Sequence, residues 1–391
     1  MSRVRVGLES LAGDGVWRVR GRRVGLLAHP ASVTSSLRHA RDVLVEAGAD
    51  VRALFGPEHG VGGEAQDMEG VEDDHGATVR TYSLYGADYA SLSPRSEWLA
   101  GLDAMVIDLQ DVGARYYTFV WTAVLMARAC AAAGVEVIVC DRPNPLDGVT
   151  LEGSPQRTEL RSFVGLECVP VRHGLTIGEI VAWRAGEEGL GNVSVVPMEG
   201  WRRTMRFDET GLPWVLPSPN MPTVDTAAVY PGGCLLEGTT LNEGRGTTRP
   251  FEVFGAPTVD GAALARFMAA HGGPGFVPRA LSFRPMFHKH AGRTCGGVQV
   301  HVTDARSFAP YRAYLAALAG CRGVSGFGWR TERYEFVDHV PALDLLTGDG
   351  EVRAGLDAGA ALDDLLAVGA VRMDDWRRSE RDRWIYPGAT H

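Results

Sequence analysis

Hydrophobic and polar positions alternate in blocks along the first half of the chain. Short runs of consecutive apolar residues, rich in β-forming types, are separated by segments in which apolar residues recur at helical spacing. The pattern predicts strands at 23–29, 51–55, 103–109 and 135–140, and helices at 36–47 and 119–133. Strands that are apolar on both faces and separated by helices are typical of a parallel sheet covered on both sides. We therefore predict a Rossmann-like, doubly wound, mostly parallel α/β sheet.

The pattern changes in the second half. A helix at 177–185 and a strand at 193–197 continue the α/β alternation, but 216–257 is rich in Pro, Gly, Thr and Asn and has little periodicity. Long loops of this kind in a compact protein are usually functional. Beyond it we predict helices at 262–271 and 308–319 and strands at 297–302 and 334–340. The sequence thus predicts a catalytic domain over 1–250 and a smaller α+β domain over 251–391 that closes a cleft.

Composition narrows the function. The 391 residues carry a net charge of −9, which disfavours non-specific nucleic-acid binding. No apolar run reaches the length of about 18 residues that a membrane span needs. The N-terminus has no apolar signal-peptide core, and the six cysteines lie far apart without a Cys-x-x-Cys pair, which indicates buried thiols rather than disulfides or zinc ligands. We expect a cytoplasmic protein that is associated with neither nucleic acid nor membrane.

No common cofactor motif is present. The first predicted strand is followed by His29-Pro-Ala-Ser, which lacks the glycines of a dinucleotide-binding turn. A Walker A loop, a His-Glu-x-x-His zinc motif and a Gly-x-Ser-x-Gly elbow are also absent from the sequence. We therefore expect no cofactor and no metal.

Polar clusters follow all four early strands. Because the carboxyl ends of parallel strands share one edge of a sheet, we expect these clusters to converge on one crevice. The clusters are His29-Pro-Ala-Ser, Gly56-Pro-Glu-His-Gly60, Asp108-Leu-Gln-Asp-Val-Gly-Ala-Arg-Tyr-Tyr-Thr118 and Asp141-Arg-Pro-Asn-Pro145. The candidate ligand-binding residues in the last two, with a histidine further along, are Asp108, Gln110, Asp111, Arg115, Tyr116, Tyr117, Asp141, Arg142, Asn144 and His173.

Each candidate has a structural alternative. Glu58, between Pro57 and His59, could be a general acid or a loop carboxylate that binds backbone amides, and His59 a proton shuttle or a structural histidine. Asp108 and Asp111 could hold a metal, orient a sugar hydroxyl or act as acid and base. The alternative for Asp111 is a helix N-cap with an ion pair to Arg115. The two tyrosines could stack on a sugar or form core, and the Asp141–Pro145 cluster could be a stiff turn with an internal ion pair.

The densest polar stretch lies at 237–249. It combines Glu237, Glu243 and Arg245 with three glycines and several threonines, and such loops often close over ligands. Just before it, the proline-bounded segment 217–222 could present Asn220.

Together these blocks resemble the exo-β-N-acetylmuramidases of the NamZ type, a glycoside hydrolase family that was formerly a domain of unknown function. The resemblance runs in the same order from about residue 23 to the C-terminus. It implies removal of single N-acetylmuramic acid residues from the non-reducing ends of peptidoglycan fragments, and it makes Glu58 the counterpart of the family's proposed catalytic carboxylate. One departure is Thr240, where the family pattern has Asn.

Glycoside cleavage needs an acid for the leaving oxygen and a second group at the anomeric carbon. Glu58 is the predicted acid, and Glu237, Glu243, Asp108, Asp111 or the substrate's own acetamido oxygen is left open as the second group. The anionic lactyl group calls for a guanidinium. The candidates for it are Arg115, Arg142 and Arg245.

Two other functions fit the same residues. The chain could be a non-catalytic muropeptide-binding or sugar-binding protein on the same scaffold. It could also be a metal-dependent hydrolase that uses Asp108, Asp111 and His59. The sequence does not decide the oligomeric state, the stereochemical course or the tolerated aglycone.

Overall fold

A computed structural model of the chain describes residues 3–63, 65 and 79–388. Six strands in the first half form one parallel sheet. These strands are β1 (Arg23–Ala28), β2 (Asp50–Gly56), β3 (Arg80–Ser83), β4 (Ala104–Asp108), β5 (Glu136–Cys140) and β6 (Val193–Val196). Their spatial order, β3-β2-β1-β4-β5-β6, is that of a Rossmann fold. Strands β2 and β3 are added on one side of β1 and strands β4 to β6 on the other, so the order of strand addition reverses between β1 and β4. The predicted fold class is confirmed.

Helices cover both faces of this sheet and make up much of the second half. They are α1 (Gly7–Ala12), α2 (Ala40–Glu46), α3 (Ser96–Leu99), α4 (Phe119–Ala133), α5 (Ile177–Glu187), α6 (Val224–Gly233), α7 (Gly261–His271), α8 (Pro310–Cys321), α9 (Ala342–Thr347), α10 (Gly350–Ala358), α11 (Leu362–Ala367) and α12 (Ala370–Ser379). Across the described parts of the chain, no helix combines the length and the apolarity that a bilayer crossing requires.

Alternate residues of the central strands pack on opposite faces of the sheet. On one face, Leu26 of β1 belongs to a buried cluster with Leu8 of α1 and Leu44 of α2. On the other face, Leu27 belongs to a larger cluster that includes Trp121 of α4. Both faces are dry, which is why these strands read as continuous apolar runs.

The second half contains a smaller antiparallel sheet. Its strands β7 (Val253–Ala256), β8 (Phe276–Phe283) and β9 (Cys295–Val302) lie in the order β7-β9-β8. Phe254 of β7 and Tyr314 of α8 join the same buried cluster as Trp121, so the core runs without a break from the parallel sheet into the second half. The predicted smaller α+β part is therefore present, and the division at residue 250 stays a prediction.

Three local predictions were wrong for identifiable reasons. The helix predicted from 36 begins at Ala40, because the Thr34 hydroxyl accepts bonds from two following amides and Leu37 has a φ of 63°. The loop predicted over 216–257 contains α6, which its internal Pro231 concealed. The strand predicted over 334–340 is a turn, with Glu335 and Phe336 at φ of 43° and 69°.

Candidate active site

A narrow cleft lies where the ends of β2 and β4 face the second half of the chain. The room that the described residues leave in it is about 30 Å³, enough for one or two water molecules. The polar side chains that line it are Glu58, His59, Tyr116, Tyr117, Thr118, Ser218, Asn220, Tyr230, Glu237, Arg245, Tyr334 and Glu335. The cleft thus brings together two of the predicted catalytic glutamates, the predicted histidine and four of the predicted ligand-binding residues.

A tight turn after β2 presents Glu58. A side chain at Gly56 would place its Cβ 2.5 Å from the backbone nitrogen of Val61, so only glycine fits there. The Gly60 amide donates to the Pro57 carbonyl at 2.9 Å, and His59 takes a φ of 72°. The Thr118 hydroxyl, at the start of α4, donates to Oε2 of Glu58 at 2.7 Å. Glu58, which follows β2, is therefore fixed against the start of α4, the helix that follows β4.

Glu237 enters the cleft from the second half of the chain. Nη2 of Arg245 donates to its Oε1 at 2.6 Å, and the hydroxyl of Tyr334 donates to its Oε2 at 2.6 Å. Both Glu237 and Arg245 are nearly inaccessible to solvent. The cleft therefore contains a second carboxylate, with a cation and a phenol fixed against it.

Glu243 lies behind Arg245 and does not line the cleft. Its carboxylate is fully buried, with Nζ of Lys289 at 2.9 Å, Nδ1 of His288 at 3.1 Å and Nε of Arg245 at 3.3 Å. Burial alone would raise the pKa of Glu243, but the charge of Lys289, the hydrogen bond from His288 and the charge of Arg245 outweigh it and hold the pKa well below its ordinary value. Glu243 is placed to fix Arg245 rather than to donate a proton.

A histidine under the cleft ties the proline-bounded segment to the sheet. Nδ1 of His29 donates to the Pro217 carbonyl at 3.1 Å, and its Nε2 accepts from the Gln110 amide at 2.8 Å. Burial lowers the pKa of His29 to about 3, so it remains neutral. This link holds Asn220 at the cleft.

Three aromatic side chains form the adjacent wall. The ring centroids of Tyr116 and Tyr117 lie 5.7 and 5.8 Å from that of Tyr230, in edge-to-face geometry. The Tyr116 hydroxyl donates to the Pro231 carbonyl, and burial raises the pKa of all three phenols. The wall is a set of neutral phenol rings.

Other predicted site residues lie outside the cleft. Asp108 and Arg142 form a buried two-bond ion pair at 2.6 and 2.8 Å, and Arg142 also donates to the Val33 carbonyl at 2.8 Å. Gln110 donates to the carbonyls of Asp111 and Pro143 at 2.7 and 2.9 Å. These groups join the ends of β1, β4 and β5 at the reversal point of the sheet.

Arg115 also has a structural role. Its fully buried guanidinium donates to the carbonyls of Ser154, Val169 and Leu346 at 2.6–2.9 Å, which links the two halves of the chain. Burial lowers its pKa to about 10. Arg115 and Arg142 are thus both placed away from the cleft, and Arg245 is the predicted lactyl-binding arginine that lies in it.

The remaining predicted residues stabilise loops. Asn144 donates to the Leu175 carbonyl at 2.9 Å and accepts from the Leu146 amide at 3.0 Å. Oδ2 of Asp111 accepts from the Gly113 amide at 2.8 Å and lies 3.4 Å from Nε2 of His173. Both side chains of this Asp–His pair are buried.

The proposed metal set is not assembled. Asp108 is bound by Arg142, Asp111 faces His173, and His59 donates to the Ala65 carbonyl at 2.8 Å in the cleft. No group of three or more His, Cys, Asp or Glu side chains placed to hold a metal occurs among residues 3–63, 65 and 79–388. The alternative that used these three residues together therefore lacks its geometry.

Asp141 anchors the C-terminal end of the described chain. Its Oδ2 accepts from the Thr176 hydroxyl at 2.7 Å and the Tyr386 hydroxyl at 2.6 Å, and its Oδ1 accepts from the Gly178 amide at 2.9 Å. Burial raises the pKa of Asp141 to about 6, and the surrounding donors offset only part of that effect.

The titration of Asp141 predicts a pH-dependent stability. The pKa of Asp141 in the folded protein, about 6, exceeds its ordinary value of 3.8. The stability that the protonated Asp141 contributes is therefore fully present below about pH 4 and is lost as the pH rises through 6. The loss is about 3 kcal/mol. Asp141→Asn cannot titrate, so the free energy of unfolding of the wild type relative to this variant should fall by that amount between pH 4 and 7. Urea denaturation at both pH values measures it, and a pH-independent difference would contradict it.

Several cleft residues carried no signal of their own in the sequence. Thr118 belongs to a strand-end block, but nothing there marked its hydroxyl as a partner of Glu58. Tyr230 lies in the stretch read as aperiodic, and Tyr334 follows Glu237 by nearly a hundred residues in a segment read as a strand. Only the packing of the second half against the sheet brings them to the cleft.

The chain matches two family models that together cover most of its length. Residues 24–225 match the N-terminal region of exo-β-N-acetylmuramidase NamZ, and residues 228–386 match its C-terminal region. The chain is also 38% identical to the peptidoglycan β-N-acetylmuramidase NamZ of Bacillus subtilis (strain 168), over 98% of this chain and 92% of that protein.

Solved structures agree with this match. A DUF1343 family protein from Bacteroides fragilis NCTC 9343 superposes with a TM-score of 0.86 at 30% identity, covering 98% of this chain and 99% of that one. A second DUF1343 family protein from the same strain gives a TM-score of 0.73 at 25% identity, covering 99% and 100%. By both sequence and fold, the chain belongs to the exo-β-N-acetylmuramidase NamZ family.

Proposed function

We propose that this chain is an exo-acting glycoside hydrolase that releases N-acetylmuramic acid from the non-reducing end of peptidoglycan fragments. The observation that carries the proposal is the pairing of Glu58 and Glu237, from opposite halves of the chain, in one cleft of a NamZ family member. Two carboxyl groups are what most glycosidases use to cleave a glycosidic bond. The similar B. subtilis protein is named a peptidoglycan β-N-acetylmuramidase.

The surroundings of the two carboxyl groups support different roles. Glu58 receives its hydrogen bond from a neutral hydroxyl and sits by the tyrosine wall, which suits a group that must carry a proton to the leaving oxygen. Glu237 lies against the guanidinium of Arg245, which suits a group that acts as an anion at the anomeric carbon. We assign Glu58 as the acid and Glu237 as the second carboxylate.

The lactyl carboxylate of N-acetylmuramic acid requires a positive partner. Arg245 is a nearly buried cation in the cleft, held by Glu237 and Glu243. A guanidinium attracts a carboxylate and can bind it through its N–H groups. We infer that Arg245 reads the lactyl group, with Asn220 and the tyrosine wall contacting the sugar.

One assay tests the proposed function. The purified full-length protein is incubated with a disaccharide of N-acetylmuramic acid β-1,4-linked to N-acetylglucosamine, and free N-acetylmuramic acid is measured over hours. We expect its release, with far slower cleavage of the disaccharide in which N-acetylglucosamine replaces the muramic acid. Tight binding without product would instead indicate a sugar-binding protein. Loss of activity on chelation, restored by a divalent ion, would indicate a metal-dependent hydrolase.

The phenol that holds Glu237 gives a further prediction. Tyr334→Phe removes the 2.6 Å hydrogen bond to Oε2 of Glu237 and leaves the ring in place. A loss of about 1.4 kcal/mol of positioning lowers kcat about 10-fold. Steady-state kinetics on the disaccharide measure this, with the thermal unfolding midpoint as a check on the fold. An unchanged kcat would show that Tyr334 does not position Glu237.

A further inference from the structure

A larger cavity opens beside the cleft. Its volume is about 430 Å³, within the range of about 300–1,000 Å³ that is usual for ligand pockets. We call it the Trp329 groove. It is lined by the pair Thr239 and Thr240, the loop residues 288–290, and the segment that contains Trp329, Arg330 and Glu332.

One chain segment contributes to the lining of both the cleft and the Trp329 groove. The segment that carries Glu237 into the cleft continues into the groove at Thr239 and Thr240. The segment 328–330 pairs with it, because the Thr240 amide donates to the Gly328 carbonyl and the Arg330 amide donates to the Gly238 carbonyl, both at 2.9 Å. These paired segments therefore run from the cleft to the groove.

Side chains connect the groove to Glu237. The guanidinium of Arg330 lies 5.0 Å from the ring centroid of Tyr334, whose hydroxyl binds Glu237. Nζ of Lys289 donates to the Leu236 carbonyl at 3.2 Å and to Glu243 at 2.9 Å. Tyr334 therefore links a residue that lines the groove to the carboxylate assigned to the anomeric carbon.

The lining of the groove suits a saccharide. The indole of Trp329 is fixed by a 2.9 Å bond from its Nε1 to Asp357 and by edge-to-face packing on Phe327 at 5.1 Å. A rigid, partly exposed indole offers a flat face for a sugar ring. Beside it, among the described lining residues, lie Arg330, Glu332, two histidines and Lys289, which is paired with Glu243. These polar side chains can form hydrogen bonds with a saccharide.

We propose that the Trp329 groove is the aglycone subsite. The sugar on the leaving-group side of the scissile bond stacks on Trp329. This inference rests on the proposed function: an exo-acting enzyme encloses the terminal sugar in the narrow cleft, so the remaining fragment must extend into a roomier adjacent cavity.

The test compares two substrates that differ only in their aglycone. Trp329→Ala is assayed on the muramyl–glucosaminyl disaccharide and on methyl β-N-acetylmuramide, which has no sugar to place in the groove. We expect kcat/KM to fall about 10-fold on the disaccharide and less than about 2-fold on the methyl glycoside. Trp329→Phe keeps an aromatic face and should retain most of the activity on the disaccharide. The matched control is Trp17→Ala, since Trp17 is 74% exposed on the surface, and it should leave both rates unchanged.

Each other result has a distinct meaning. Equal losses on both substrates, or no loss on either, would overturn the subsite. A loss that depends on a stem peptide attached to the lactyl group, and not on the aglycone, would assign the groove to the peptide and also overturn it. If the wild type hydrolysed neither substrate, the proposed function would fail, and the subsite with it.

Discussion

We expect Glu58→Gln to slow hydrolysis of the muramyl disaccharide strongly while the fold is retained. Glutamine keeps an oxygen that can accept the Thr118 hydrogen bond, and it has the same shape, but it cannot give a proton to the leaving oxygen. General acid catalysis contributes about 10²–10⁴-fold, so kcat should fall by about 10³-fold. Release of N-acetylmuramic acid under substrate saturation measures kcat, and circular dichroism with the thermal midpoint verifies folding.

The matched control for this variant is Glu252→Gln. Glu252 is also a buried glutamate that accepts a bond from a threonine hydroxyl, Thr226 at 2.6 Å, but it does not line the cleft. Its replacement should change kcat by less than about 3-fold. If Glu58→Gln retained near-normal turnover, Glu58 could not be the acid, and the roles of the two cleft glutamates would have to be reassigned.

We expect Arg142→Met to lower the free energy of unfolding more than any other single substitution named above. The substitution leaves the carboxylate of Asp108, which is 0% exposed, without the guanidinium that binds both of its oxygens. Breaking a buried ion pair in this way costs about 3–5 kcal/mol. Urea denaturation should show a decrease of this size in the free energy of unfolding, while the KM of the folded fraction for the disaccharide stays unchanged.

A second variant separates ion-pair energetics from simple loss of packing. In Asp108→Leu with Arg142→Met both charges are removed, so no uncompensated carboxylate remains. The double variant should recover at least half of the stability lost by Arg142→Met alone. A stable Arg142→Met protein with a strongly raised KM would instead restore the earlier hypothesis that Arg142 binds the lactyl group.

The parallel sheet could be predicted from the sequence because its strands are buried on both faces. A strand that is buried on both faces needs consecutive apolar residues. The strands at 103–109 and 135–140 could therefore be predicted without other information. The stretch that contains α6 was not, because Pro231 and its neighbouring glycines are the residues that usually break helices. The helical structure of α6 is determined by its packing against α8 and not by the helix propensity of its residues.

The site was predictable where one short segment supplies a polar cluster, as at Glu58 and His59 after β2 and at Glu237 and Arg245 in the polar loop. Glu58 lies in a glycine-bounded turn, where the sequence allowed either a general acid or a loop carboxylate, and the family resemblance favoured the acid. Asp108 and Arg142 have the same kind of sequence context, yet they neutralise each other inside the protein. Sequence cannot separate these cases, because pairing depends on distances between residues far apart in the chain. For the same reason it offered four carboxylates for the second role.

The cleft leaves about 30 Å³ between Glu58, Glu237 and the tyrosine wall. A pyranose ring is larger than this, so we expect the cleft to widen when the terminal sugar enters, which uses part of the intrinsic binding energy. We therefore expect the affinity to be weaker than the contacts in the complex alone would give. Only a saccharide that makes enough contacts to offset this cost can bring the two carboxyl groups into place. The enzyme then discriminates between terminal sugars as the cleft closes around them.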